Sequence, residues 1–229
     1  MIKMRKDNLL LRYLEEKQFV DLFMDGHIRF NCLGFFWGEH DDPTKEGQID
    51  ASEGLVCGID AKSQSDCKRG MNYQYCNVLC CHRLNYIIEG ENIGWYTNEY
   101  MSKFGDYVVI IKDKNEFQRR LVRAATLQEY KCGCCNVDYS NRITYDRDVF
   151  DKESQYAYQN EWRAALCRGV DVCEPYELYV GQLSDIAEWC PTSRLNSTLE
   201  QIFRRRDFKE SDDSYYGNIE RLSLGQMFI

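Results

Sequence analysis

A chain of 229 residues with only three prolines and no Gly/Ser-rich stretch is long enough for one large core and has no linker to divide it. Its 37 acidic residues against 29 basic ones give a net charge of −8, which argues against a broad, sequence-independent grip on nucleic acid, because such a grip needs a basic surface to displace counterions. No run of about 18 apolar residues occurs, so no membrane span is expected. The opening MIKMRKDNLLLRYL carries Arg12 inside its short apolar part, unlike a signal peptide, and a cytoplasmic location is expected.

Leu9 to Tyr13 reads as a first strand, and Glu16 to Met24 as a helix whose apolar face is Phe19, Val20, Leu22 and Phe23. Asp25-Gly26 stops that helix, and His27 to Cys32 alternates as a short strand. The acidic, turn-rich loop 38–47 comes straight after Phe35, Phe36 and Trp37, a combination that marks either the rim of a pocket or an anchor holding the loop to the core. Leu55 to Ile59 and Tyr75 to Cys81 read as strands joined by a polar excursion around Lys62 to Gly70.

Gly94-Trp95-Tyr96 leads into a short helix through Met101, and Tyr107 to Lys112 is the clearest strand. The spacing of Phe117, Leu121, Ala124 and Ala125 predicts a helix over Asn115 to Leu127, with Asn115 as its cap. Strands are expected within 136–145, over Tyr156 to Leu166 and over Glu177 to Leu183. Helices are expected from Ser184 through Glu188 and from Asn196 or Ser197 through Arg204. The composite is one α+β domain over 1–229, a mixed or antiparallel sheet flanked by a few helices, with its core from about 9 to 205 and a polar tail over 207–229.

The chain is cysteine-rich, with 12 in all. In a reducing compartment they read as free thiols, many of them small core hydrophobes. Two clusters, Cys76-x3-Cys80-Cys81-His82 and Cys132-x-Cys134-Cys135, could supply paired hooks for zinc. Neighbours on a strand face opposite ways, so at most one of Cys80 and Cys81 joins Cys76, and no metal is expected.

No dinucleotide fingerprint, P-loop, zincin motif or nucleophile elbow is present, and with only three histidines a Ser-His or Cys-His engine has few candidate bases. The best lead is Lys152 to Leu166, KESQYAYQNEWRAAL. On a strand, Gln159, Glu161 and Arg163 share one face. Such a row of amide, acid and guanidinium either closes a salt-bridged network or lines a site.

Several landmarks occur in order: Leu10-Leu11-Arg12-Tyr13, Ile28-Arg29-Phe30-Asn31, the loop from Asp41 to Gly47, Trp95-Tyr96, Phe104-Gly105-Asp106-Tyr107, and Tyr158-Gln159-Asn160-Glu161-Trp162-Arg163. Together they resemble a broad, uncharacterised set of bacterial and phage proteins met near mobile or defence loci. The order of parts also resembles the ADP-ribosyltransferase fold, in which Gln159-x-Glu161 matches a late-strand motif, although no Ser-Thr-Ser motif precedes it here.

That resemblance implies an effector or toxin that takes NAD as co-substrate, hydrolysing it or moving ADP-ribose to a macromolecular acceptor. Glu161 would hold the ribose and counter the oxocarbenium charge, and Gln159 would orient the acceptor. Arg12 would clamp the pyrophosphate, while Tyr13, Trp95 or Tyr96 stacked the nicotinamide. The alternative is a non-enzymatic protein-binding or regulatory module in which Arg12 and Glu161 form a structural ion pair and the aromatics at 35–37 meet a partner.

Overall fold

The computed structural model describes residues 4–37, 55–57, 67–69, 75–89, 92–139 and 148–207. The loop 38–47 and the tail from 208 lie outside them. The fold is α+β, built on one nine-stranded sheet whose pairings are all antiparallel.

Its organising element is β5 (Asn77–Glu89), a strand of 13 residues. Two different strands share each of its edges. On one edge β11 (Glu161–Cys167) pairs with its first half and β6 (Asn92–Tyr96) with its second, through the registers Glu161↔His82 and Asn85↔Tyr96. On the other edge β2 (His27–Cys32) pairs at Asn77 and Val78, and β1 (Met4–Leu14) takes over from His82 onward. The sheet continues outward through β7 (Tyr107–Ile111) and β13 (Ala187–Pro191) beyond β1, through β8 (Lys131–Asn136) beyond β11, and through β12 (Tyr176–Tyr179) beyond β2. β5 runs eight residues past Cys81, where the expected strand ends, and the cysteine-rich β8 falls mostly before the strands expected within 136–145.

Helices cover both faces. On one lie α1 (Lys17–Met24) and α2 (Lys114–Thr126), whose Val20, Phe23, Phe117, Leu121, Ala124 and Ala125 pack with Leu10, Leu79, Val109, Ile111, Trp162 and Ala164. On the other lies α3 (Leu195–Arg205), whose Leu199, Ile202 and Phe203 pack with Leu9, Leu11, Leu84, Tyr86, Val108 and Ile110. Odd and even positions of each strand therefore feed different cores, as the period of two requires.

Local expectations hold in part. In α1, Val20 and Phe23 are buried, but Phe19 and Leu22 turn outward. Gly26, at φ +96°, ends the turn, and a Cβ there would stand 2.2 Å from the carbonyl oxygen of Gly181, so no other residue fits. The cap of α2 is Asp113 and not Asn115: its carboxylate accepts from Glu116 N at 3.0 Å.

The helix expected over Ser184 to Glu188 is a single turn followed by β13. Lys112 N donates to the carbonyl oxygen of Ile186, and Ala187 pairs with Ile111, so the edge of β7 claims this backbone. Cys32 and Cys173 are joined by a disulfide with Cα atoms 5.5 Å apart, which corrects the expectation of free thiols throughout. No helix among the described residues is long and apolar enough to cross a membrane.

Candidate functional site

The stretch read as a strand over Tyr156 to Leu166 is two elements. Ser154–Gln159 forms a 3-10 turn, and β11 begins at Glu161. The break is Asn160, in the left-handed region at φ +42°, which asparagine tolerates better than most residues. Asn160 is fixed by reciprocal bonds: its Nδ2 donates to Arg83 O at 2.6 Å, its Oδ1 accepts from Arg83 Nη2 at 2.6 Å, and its own carbonyl oxygen accepts from Arg83 N at 2.8 Å.

Gln159 therefore reaches Glu161 and Arg163 from a turn rather than along a strand, yet the three side chains do converge. The Glu161 carboxylate accepts from Arg163 Nε at 2.8 Å on one oxygen and from Lys152 Nζ at 3.0 Å on the other. Lys152 Nζ also donates to Gln159 Oε1 at 2.6 Å, and Arg163 Nη1 donates to the carbonyl oxygen of Val149 at 2.6 Å. Tyr139 OH accepts from Glu161 N at 2.8 Å. Lys152, Gln159, Glu161 and Arg163 are all buried, Arg163 at 1% exposure. Lys152 belongs to β10 (Asp151–Lys152), which pairs in parallel with β9 (Asp138–Tyr139), so this short ribbon brings both Lys152 and Tyr139 over the sheet.

Burial alone would raise the Glu161 pKa. The charges of Lys152 and Arg163 and their hydrogen bonds more than offset it, and the carboxyl is held at about 2. An acid so held is ionised at every physiological pH and has no proton to give. Burial pushes the Tyr139 hydroxyl well above its ordinary range, with the Glu161 charge adding to it.

His82 stands opposite Glu161 on β5 and is buried too. Its Nδ1 donates to the carbonyl oxygen of Gln159 at 2.7 Å, which leaves Nε2 as a bare acceptor, buried and without a hydrogen-bond partner. Burial lowers its pKa, the Gln159 carbonyl raises it in part, and Arg83 lowers it further.

The other expected site residues are elsewhere. Arg12 alternates with Leu11, and Leu11 faces His82 across the β1–β5 pair, so Arg12 lies on the α1/α2 face while Glu161 lies on the α3 face. Its Nη1 donates to the carbonyl oxygen of Cys80 at 2.8 Å, and its Nε is buried without a partner. That bond fills the gap on β5 where β2 has ended and β1 has not begun.

Tyr13 is buried in the α3 core, and burial raises its pKa. Trp95 packs on Phe203 with ring centroids 5.0 Å apart and donates from Nε1 to Asn196 Oδ1 at 3.2 Å, so it anchors α3. Tyr96 points away from both, 72% exposed. The structure thus brings Gln159 and Glu161 together and does not bring Arg12 to them.

Lys152, Tyr139 and His82 were missed as site members. Lys152 opens the stretch that carries Gln159, Glu161 and Arg163, but nothing local says it folds back onto them. The two cysteine hooks weighed for zinc do not meet. Cys80 and Cys135 pack with the cluster of Leu33, Val78, Val149 and Ala165, one on each neighbour of Arg163, which puts them about 10 Å apart across two strand spacings with a guanidinium between. Cys132 and Cys134 pack against the α1/α2 core. Among the described residues no group of three or more His, Cys, Asp or Glu side chains is gathered as a ligand set. Comparison of the chain with protein-family models, with curated proteins and with solved structures finds no match in any of the three.

Proposed function

We propose that this chain is a non-enzymatic protein-binding module, in the phage–host conflict setting its landmarks suggest, with Glu161 acting as a strut of the fold. The observation that carries this reading is the engagement of both Glu161 oxygens by buried cations. An oxocarbenium-stabilising carboxylate needs a free oxygen facing substrate, and a pyrophosphate clamp needs a guanidinium on the same face as that carboxylate. Arg12 is on the other face.

The surface offered to a partner is the open corner where β6 meets the second half of β5. The register puts Asn85 and Ile87 of β5 beside Tyr96 and Gly94 of β6 on one face. Ile87 is 43% and Tyr96 72% exposed, and a Cβ on Gly94 would meet nothing within 4 Å. An exposed aliphatic and an exposed aromatic on a rigid sheet face suit the apolar centre of an interface, where tyrosine is enriched.

NAD cleavage is the rival, favoured by the meeting of Gln159 and Glu161 in one cluster. Two measurements separate the readings. Nicotinamide release from NAD by the purified chain, with cell lysate offered as acceptor, should stay at the buffer level. A photo-crosslinking residue at position 96 should capture one defined protein from the native host that the same residue at exposed position 200 does not. Release by the parent, lost in a folded Glu161→Gln variant, overturns the binding-module reading in favour of NAD consumption.

A further inference from the structure

Besides the disulfide, two pairs of thiols stand in contact among the described residues: Cys132 with Cys134, two positions apart on one strand, and Cys76 with Cys167, on two neighbouring strands. The β5–β11 register ends at Asn77↔Leu166, and one step further it sets Cys76 opposite Cys167. Their sulfurs are 3.8 Å apart. Opposed residues of an antiparallel pair have Cα atoms about 4.5 or 5.5 Å apart, and a disulfide accepts about 4.4 to 6.8 Å, so the backbone needs no rearrangement to link them. Rotation about the side-chain bonds covers the remaining approach.

The two thiols are not equivalent. Cys76 is 1% exposed and walled by Leu33, Val78, Val149 and Ala165, and its Sγ lies 3.7 Å from the carbonyl oxygen of Leu166. Cys167 ends its strand and is 8% exposed. The hydrogen bond from Cys76 favours the Cys167 thiolate, as does the nearby Lys131 charge, while the same bond and burial push Cys76 up. One sulfur is thus placed to attack and the other to resolve. The same end of the sheet already carries a disulfide, since Cys32 pairs with Asn77 and is bonded to Cys173.

We propose that Cys76 and Cys167 are a redox-modifiable pair, which a small-molecule disulfide converts into a second, cross-strand disulfide. The Cys167 thiolate attacks one sulfur of the small disulfide, forming a mixed disulfide and releasing one small thiolate. Cys76 then attacks the Cys167 sulfur, and its electron pair closes the Cys76–Cys167 bond as the second small thiolate leaves. The two protein thiol protons end on the two released thiols, so the protein is oxidised by two electrons and the small disulfide is reduced by two.

The test is to hold the full chain in a series of reduced-to-oxidised glutathione ratios, block remaining thiols with an alkylating agent, and map peptides by mass. The proposal expects the Cys76–Cys167 linked peptide to rise with oxidised glutathione and to vanish on return to reduced glutathione. Cys76→Ser should stop at a glutathione adduct on Cys167, and Cys167→Ser should give neither adduct nor link. If either variant fails to fold, the parent series decides alone. A parent in which both thiols stay alkylatable across the series, or in which Cys76 links to Cys132 instead, overturns the proposal.

Discussion

Arg12 and Glu161 stand on opposite faces of one sheet. The register fixes this: Leu11 faces His82, His82 faces Glu161, and Arg12 is one residue out of phase with Leu11. Each then has its own partners. Arg12 donates to the Cys80 carbonyl oxygen on β5, and Glu161 accepts from two buried cations.

Removing the Glu161 charge should therefore act on stability first. Glu161→Gln keeps the shape and removes the carboxylate charge to which buried Lys152 and Arg163 both donate, a loss that costs about 3–5 kcal/mol. Lys152→Met leaves Glu161 its bond to Arg163 and should cost less, about 1–3 kcal/mol. Urea denaturation of the three proteins checks the order, and a Glu161→Gln protein as stable as the parent would contradict it.

Acid should weaken the fold in two stages. The folded pKa of His82 is lowered, so as pH falls below about 6.5 the unfolded chain takes up this proton first and stability declines. Glu161 is also lowered, to about 2, so its contribution is whole above its unfolded value near 4.5 and is lost as pH falls towards 2, a change of about 3 kcal/mol. Urea midpoints measured between pH 8 and pH 3 should show both legs, and His82→Gln should remove the upper one only.

Arg12→Met keeps the apolar stem and takes away the donor to Cys80 O. The loss should be about 1–2 kcal/mol, because a part-buried acceptor loses this donor while an unpartnered Nε–H is also removed. Thermal unfolding measures it. An unchanged midpoint would mean that water serves the carbonyl equally well.

The Cys32–Cys173 disulfide closes a loop of 141 residues in sequence. Chain entropy assigns a closure of that size about 4–5 kcal/mol. The Cys32→Ser/Cys173→Ser double variant should unfold at a markedly lower temperature than the oxidised parent, and at the same temperature as the parent held in strong reductant.

The sequence carried the local half of this structure. Helical spacing of Phe117, Leu121 and Ala124 located α2, and the order of Gln159, Glu161 and Arg163 marked the residues that do converge. What it could not carry was long-range. Lys152 reaches Glu161 only because a two-residue ribbon folds over the sheet, and the side of the sheet on which Arg12 falls depends on a register set by strands far away in sequence. The Ser184 segment shows the same limit, since a local helical pattern lost to the free edge of β7. Even Gln159 joins its neighbours by a turn at Asn160 rather than by the alternation of a strand.

The sharing of β5 also has a temporal side. During synthesis its β1 edge is satisfied at once, since β1 has already emerged, but the edge at His82 waits about eighty residues for Glu161 to be made. Until then a buried strand of the finished protein is an open edge in the nascent one, ready to pair with another chain. Slowing translation between these two segments should lower the yield of folded protein more than slowing it after β11.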